Sequence, residues 1–173
     1  MISEEGARIS EEGARAGGEG NGGAHAVSRD ESVVRGISGA GNVIRRLFQQ
    51  RTRLWQQTLP DDITGPQFTV LGVLYLRGAM DQRSLGRHAS LDKSTAAPIV
   101  ERLRTRGLLT VERDSADARR KVLVLTSTGR ETVLRLAPYA AQVEDLLLGD
   151  LSPAEREQFF HLAYKILGVH DAT

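Results

Sequence analysis

The segment GLLTVERDSADARRKVLVLT, residues 107–126, decides the fold of this chain. Two runs of strand-forming residues, 109–111 and 122–125, enclose an acidic turn that is followed by consecutive basic residues. Directly upstream, residues 91–106 have the apolar spacing of an amphipathic helix, which Gly107 would end. A helix followed by an arginine-rich hairpin suits DNA, because the helix can enter a major groove while the hairpin reaches phosphates or the minor groove. An ordinary charged hairpin on a small α+β domain explains this segment equally well.

The residues before this segment complete a helix-turn-helix. Asp81 can cap a short helix, a turn follows at residues 88–91, and the candidate recognition helix comes next. Pro98 constrains the start of that helix, because a proline in a helix interior removes a hydrogen bond and clashes with the preceding turn. A start at Ser94 or Thr95 would place Pro98 near the first turn and leave both hydroxyls at an exposed helix end. Contact with DNA and simple capping of the helix both remain open as roles for these hydroxyls.

Long amphipathic helices flank this region. From Val33 to Leu54 apolar residues recur with alternating spacings of three and four, which predicts one long helix. A capping box at Thr64 and Gln67 opens the next helix, and a second one at Thr128 opens the first of two apolar helices after the hairpin. These apolar faces exceed what one protomer can bury, so the pattern predicts a dimer. The predicted fold class is α+β, predominantly helical, a winged helix-turn-helix with flanking dimerisation helices.

The chain divides into four predicted parts. The heptapeptide ISEEGAR at residues 2–8 recurs at 9–15 and is followed by a glycine-rich run, so this segment cannot bury enough apolar surface to order itself. The parts are a disordered tail at residues 1–30, an N-terminal dimerisation helix at 31–60, a winged helix-turn-helix DNA-binding domain at 61–127 and C-terminal dimerisation helices at 128–170.

Composition excludes several classes of function. With 173 residues, of which 40% are apolar, the chain can bury one core and carry a tail. The absence of cysteine excludes disulfides, cysteine zinc sites and thiol-based redox sensing. No apolar run approaches the roughly 18 to 20 residues of a membrane span, so we expect a cytoplasmic protein without membrane contact. The four histidines lack metal-binding spacing and no nucleophile elbow is present, so neither an enzyme nor a cofactor is predicted.

Two groups of motifs resemble the MarR family of bacterial transcription regulators. The motifs that match the family's recognition helix and its exit are LDKST at residues 91–95, VERL at 100–103 and RGL at 106–108. The motifs that match its wing are RDSADARR at 113–120, VLT at 124–126 and Gly129. Ser115 stands where the family usually has proline, and Ala118 where it often has a larger residue or glycine. The resemblance covers about residues 33–168.

The resemblance implies a homodimer that binds a pseudo-palindromic operator in double-stranded DNA, with its recognition helices about 34 Å apart. Ser94, Thr95 and Pro98 would then touch base edges or the adjacent backbone. Arg119 would enter the minor groove, and Asp117 would orient its guanidinium. The other residues expected at the DNA surface, mostly as phosphate contacts, are Gln82, Arg83, Arg87, Lys93, Arg102, Arg113 and Arg120.

Members of this family usually repress, and many release DNA when a small aromatic or phenolic acid binds between the winged domain and the dimer platform. The resemblance therefore implies a repressor with a small aromatic carboxylate as effector. The candidate pocket residues are Arg53, Trp55, Phe68, Tyr75, His88 and Arg102, with an arginine for the acid group. Core positions for Trp55 and Phe68 and a solvated turn position for His88 are the alternatives. An activator, or a winged-helix module that binds only protein, is the alternative function.

Overall fold

The computed structural model describes residues 29–60, 62–114, 117 and 119–168. The predicted disordered tail lies outside the described residues except for Arg29 and Asp30, which begin a helix instead. The chain forms two compact units, of which the first ends at Gly39 and the second begins at Ala40.

The described residues form seven helices and one two-stranded antiparallel sheet, which confirms the predominantly helical α+β class. None of these helices is long and apolar enough to cross a membrane. The elements are α1 Arg29–Ser38, α2 Ala40–Thr58, α3 Gly65–Arg77, α4 Gln82–His88, α5 Lys93–Thr105, β1 Leu109–Arg113, β2 Lys121–Leu125, α6 Ser127–Leu147 and α7 Pro153–Leu167.

The predicted helix from Val33 to Leu54 is interrupted at Gly39, so the prediction of one continuous helix is wrong. A Cβ atom at position 39 would overlap the carbonyl oxygen of Arg35, and only glycine accommodates this bend of the chain. Neighbouring glycines also weaken helix formation here, because glycine has the greatest backbone freedom to lose.

The core of the second unit lies between the winged region and α6. Amphipathic helices α3, α4 and α5 turn their apolar stripes toward one another and toward the sheet. The side chains that meet there and are almost fully buried are Val70, Leu71, Leu74, Leu85, Leu103, Leu109, Leu123 and Leu136. Burying each of these side chains contributes roughly 1.5–3 kcal/mol to the free energy of folding. This packing fixes α5 against α3, α4 and the sheet.

The candidate recognition helix α5 begins at Lys93 rather than at Ser94 or Thr95. Asp92 is its N-cap, because one carboxylate oxygen accepts a hydrogen bond of 2.8 Å from the backbone N–H of Thr95. Pro98 consequently lies deeper inside the helix than the sequence suggested. Aspartate and serine cap helices about equally well, so local preference could not choose between neighbouring start sites.

The hairpin is held to the helix-turn-helix by a third short segment. Strands β1 and β2 pair in antiparallel register from Leu109 opposite Leu125 to Arg113 opposite Lys121. Met80, just before α4, forms an additional bridge with Leu123, whose N–H donates to the Met80 carbonyl at 2.8 Å. The sheet therefore continues into the start of the helix-turn-helix.

A junction at Thr126 joins α5, the hairpin and α6. The Thr126 hydroxyl donates to the carbonyl of Gly107 at 2.8 Å and accepts from the N–H of Gly129 at 3.0 Å. Thr126 is therefore the cap of α6, and the predicted capping box at Thr128 is wrong by two positions. A Cβ at Gly129 would overlap the carbonyl oxygen of Leu108, so the two backbones are in direct contact.

The last helix, α7, opens with a capping box in which Ser152 and Glu155 bond each other's backbone N–H. Pro153 occupies its first position, where the missing N–H costs nothing. No residue of α7 is buried in this single chain.

Candidate DNA-binding surface and effector cavity

The exposed start of α5 carries three linked polar side chains. The Asp92 carboxylate accepts hydrogen bonds from the Ser94 hydroxyl at 2.6 Å and from the Thr95 hydroxyl at 3.1 Å. These bonds, with that from the Thr95 backbone, lower the pKa of Asp92, and the Ser94 hydroxyl has the largest effect. Both hydroxyl hydrogens thus point toward Asp92, which leaves the oxygens as acceptors on the outer surface. Pro98 is also exposed on this helix.

Four of the predicted phosphate contacts come together in one groove between α4 and α5. This groove has a volume of about 600 Å³ and is lined by Gln82, Arg83, Gly86, Arg87, Leu91, Lys93 and Ala96. Its three cations carry a positive potential beside the exposed start of α5, which suits a polyanion. Arg102 lies further along α5, exposed and outside this groove.

The described part of the wing tip is a turn built on Asp117. Its side-chain oxygen accepts from the backbone N–H of Arg119 at 3.0 Å, and its carbonyl accepts from the N–H of Arg120 at 2.9 Å. Asp117 thus holds the backbone of Arg119, and its predicted role in orienting the Arg119 guanidinium stays a prediction. Arg113, at the end of β1, and Arg119 are both exposed.

Arg120 connects the wing to the helix-turn-helix. Its guanidinium donates to Asp81 at 3.0 Å and lies 3.8 Å from Asp114. Asp81 also caps α4 by accepting from the backbone N–H and the hydroxyl of Ser84, each at 2.9 Å. These bonds, foremost that from the Ser84 N–H, lower the pKa of Asp81 from 3.8 to about 2. Arg120 therefore has a structural role that the sequence analysis did not identify.

A second cavity, of about 560 Å³, lies between α2, the start of α3 and the turn of the helix-turn-helix. We call it the effector cavity, because it is the candidate site for the effector that the sequence predicts. Its lining residues are Phe48, Arg51, Thr52, Trp55, Gln56, Asp62, Ile63, Thr64, Gly65, Pro66, Thr69, Ala89 and Leu91. Ala89 and Leu91 belong to the turn that precedes the recognition helix, so this cavity borders the element that positions α5.

The predicted pocket residues are only partly brought together. Trp55 lines the effector cavity, and Phe68 packs against it with ring centroids 5.5 Å apart without lining the cavity. Tyr75, half-buried, and His88, exposed, lie outside the lining, as do Arg53 and Arg102. The arginine in the lining is Arg51, two residues before the expected Arg53.

Arg51 is held at the cavity by three neighbours. Its guanidinium carbon lies 5.4 Å from the centre of the Trp55 ring system, within the range of a cation–π contact. Its Nε donates to the Glu144 carboxylate of α6 at 3.2 Å. A Cβ at Gly65 would approach Nη1 to 3.0 Å, so the glycine leaves room for the guanidinium against the start of α3.

The wall of the cavity opposite α2 is fixed by two further hydrogen bonds. The indole N–H of Trp55 donates to the carbonyl of Ile63 at 2.7 Å, and this bond is buried. Asp62 accepts from Arg106, the C-cap residue of α5, at 2.6 Å. The loop before α3 is thereby linked both to the cavity and to the end of the recognition helix.

Several large apolar side chains of α2, α6 and α7 are exposed in the single chain. They are Val43, Ile44, Leu47, Phe48, Leu134, Leu146, Phe159, Phe160, Leu162, Tyr164, Ile166 and Leu167. Soluble monomers rarely expose so large an apolar surface, which favours a protein partner on these helices.

Known transcriptional regulators are similar to this chain in sequence. A family model described as "MarR family" matches residues 61–120. The transcriptional regulator HosA of Escherichia coli is 36% identical over 124 residues, which are 72% of this chain and 91% of HosA. The transcriptional repressor NicR of Pseudomonas putida is 31% identical over 128 residues, 73% of this chain and 81% of NicR.

A solved structure extends the similarity to the fold. BpsR of Bordetella bronchiseptica, described with a mechanism for regulation of its DNA binding by 6-hydroxynicotinic acid, matches with a TM-score of 0.73 and 33% identity. The match covers 78% of this chain and 96% of BpsR.

Proposed function

The chain belongs to the MarR family of DNA-binding transcriptional regulators, and from this premise we propose that it is a homodimeric repressor released from its operator by a small aromatic acid. The observation that carries the proposal is the effector cavity, which combines an aromatic wall, a guanidinium and the turn before the recognition helix. A ligand bound there contacts both α2 and the turn of the helix-turn-helix that precedes α5.

On the DNA side, α5 enters the major groove through Ser94, Thr95 and Pro98. The groove between α4 and α5 binds backbone phosphates through Arg83, Arg87 and Lys93, with Gln82 beside them, and Arg102 and Arg113 add charge at its margins. The exposed Arg119 enters the minor groove from the wing tip. Arg120 acts mainly by holding the wing on Asp81.

The homodimer is proposed from the exposed apolar faces of α2, α6 and α7. A second copy covers these faces by two-fold symmetry, as most soluble homodimers do. Two recognition helices then read half-sites separated by about one turn of DNA, or about 34 Å.

The effector proposal follows from the chemistry of the cavity. Trp55 offers an apolar face for an aromatic ring, and Arg51 offers a guanidinium for a carboxylate. The regulation of BpsR by 6-hydroxynicotinic acid and the name of NicR as a repressor support an aromatic acid and repression respectively.

DNA binding is tested by selecting ligands for the full chain from a random duplex library. We expect a pseudo-palindromic site and an affinity that falls steeply with salt, because phosphate contacts release counterions. Transcription in vitro from a promoter that overlaps this site should fall when the protein is added. Binding without sequence preference, or with no salt dependence, would contradict the proposal and favour a module that binds protein.

The effector is tested with Trp55, the one tryptophan of the chain, as a fluorescent probe. Benzoate, 4-hydroxybenzoate and 6-hydroxynicotinate are titrated with and without operator, each beside its neutral amide. An effector that releases DNA must bind the DNA-bound protein more weakly by the same factor. Equal affinities with and without operator for every acid that binds would disprove release by this route.

A further inference from the structure

The contact between Arg51 and Glu144 spans two helices that meet beside the effector cavity. Arg51 belongs to α2 and Glu144 to the last part of α6, and their side chains are 33% and 49% exposed. An ion pair this accessible to water stabilises the contact only weakly, because solvent screens the charges and each side chain loses conformational freedom on pairing. The contact can therefore be broken by a better ligand for the guanidinium.

The geometry of the guanidinium determines where a carboxylate can bind. Nη1 lies against the start of α3, where a Cβ at Gly65 would already be 3.0 Å away. The opposite edge, which contains Nε, is the edge occupied by Glu144. A planar carboxylate binds a guanidinium best through two parallel hydrogen bonds to one edge. An aromatic acid that stacks on Trp55 and forms this pair competes with Glu144 for Nε.

Electrostatics disfavours simultaneous binding of both carboxylates. An acid at Arg51 would bring a second negative charge beside Glu144 within a partly enclosed site, and like charges in such a site repel. The Glu144 side chain is half exposed and can turn into solvent, whereas the acid ring is held by the cavity wall. An acid bound at Arg51 would therefore replace Glu144.

We propose that Glu144 competes with the effector for Arg51. When the effector displaces Glu144, the contact between α6 and α2 is lost and operator binding weakens. This inference rests on the proposed function, because it assigns the switch at the same cavity. The paired form is the DNA-binding form, and the acid-bound form is the unpaired one.

The test compares the full chain with its Glu144→Gln variant and with Glu131→Gln as the matched control on α6. Glu131 is exposed and lies in the first turns of α6, far from Glu144 along this helix. Benzoate, 4-hydroxybenzoate and 6-hydroxynicotinate and their amides are the probes, with Trp55 fluorescence as the readout. Thermal unfolding of each variant establishes that the fold is retained.

We expect Glu144→Gln to bind the acids about two- to fivefold more tightly, the range set by a weak exposed ion pair. The amides should bind equally to wild type and variant, because they do not compete for the charge. Without acid the variant should bind operator more weakly than wild type, and added acid should reduce its operator affinity by a smaller factor. Glu131→Gln should behave as wild type in all four measurements.

Unchanged acid affinity in Glu144→Gln overturns the competition, and unchanged operator affinity overturns the link to DNA binding. Either result leaves the proposed effector site intact if Arg51→Gln still abolishes acid binding. Failure of all three acids to bind wild type overturns both the effector proposal and this inference.

Discussion

The Arg106 guanidinium donates a 2.6 Å hydrogen bond to the Asp62 carboxylate, which joins the end of α5 to the wall of the effector cavity. Residues 44 positions apart in sequence are linked by this bond. We therefore expect a movement of the cavity wall to reach the recognition helix from its C-terminal end, while Leu91 lines the cavity at the other end.

The first prediction concerns this bond. Asp62→Ala should change the free energy of unfolding by no more than about 1 kcal/mol, because the aspartate is largely exposed. It should nevertheless reduce the loss of operator affinity that an aromatic acid causes. Denaturant unfolding and operator titrations with and without acid measure both effects. Glu101→Ala is the control, since its partner Arg104 lies within α5. An undiminished response to acid would show that Asp62 transmits nothing.

The second prediction concerns the wing. Arg119→Ala should weaken binding to operator and to unrelated A·T-rich DNA alike, and should lower the salt dependence by about one ion. The melting temperature should be unchanged, because the side chain is exposed. Fluorescence anisotropy at several salt concentrations measures this, with Arg135→Ala on α6 as a charge-matched control. A loss limited to the operator would instead indicate a base contact for Arg119.

The third prediction concerns Thr95 on the recognition helix. Thr95→Ala should erode discrimination between operator and unrelated DNA by about 1 to 3 kcal/mol if its hydroxyl contacts a base. Competition binding with both DNAs measures the difference. Thr110→Ala, an exposed threonine of β1, is the control and should have no effect. Equal losses on all sequences would reduce Thr95 to a stabiliser of the helix start.

The fourth prediction concerns acid stability. The pKa of Asp81 is about 2 in the folded chain and 3.8 ordinarily, so the folded state binds the proton more weakly. The stabilising effect of Asp81 is complete at pH values well above 3.8. It is lost as the pH falls toward about 2. Asp81→Asn should therefore flatten the fall in melting temperature over this range. An unchanged acid profile would mean that other carboxylates dominate it.

The fifth prediction compares two glycines. Gly129→Ala should destabilise the fold by several kcal/mol, because the new methyl group would overlap the Leu108 carbonyl and push α6 away from the hairpin. Gly72→Ala on α3 has open space and should be neutral or stabilising by up to about 1 kcal/mol. Urea unfolding of both variants measures this. Similar stabilities would show that the backbone contact at Gly129 relaxes without strain.

Local patterns predicted the hairpin and the helices well, because turn residues and apolar periodicity act over a few positions. The predicted N-caps Thr64 and Asp81 are confirmed. Two other N-caps were harder to predict, since Asp92 and Thr126 each have a neighbouring residue that caps equally well. Arg51 had a signal in the sequence, because it falls on the apolar stripe of α2 where a charged residue has to find a partner.

Contacts between residues far apart in the sequence could not be predicted from local patterns. Met80 with Leu123, Arg106 with Asp62 and Arg120 with Asp81 each join residues that are far apart along the chain. Their positions depend on how the helices pack, which no periodicity encodes. Of the residues predicted for the pocket, Trp55 consequently lines the cavity, whereas the arginine in the lining is Arg51 and not Arg53.

The junction at Thr126 attaches the start of α6 firmly to the hairpin and to the end of α5, so a tilt of α6 is largest at its other end. Its 21 residues span about 30 Å at the rise of an α-helix, and Glu144 lies close to the other end. A tilt of about 5° would displace the far end by about 3 Å, as much as the length of a hydrogen bond. In the proposed homodimer, a contact as small as one carboxylate would therefore control the spacing of the two recognition helices, because the length of α6 amplifies the motion.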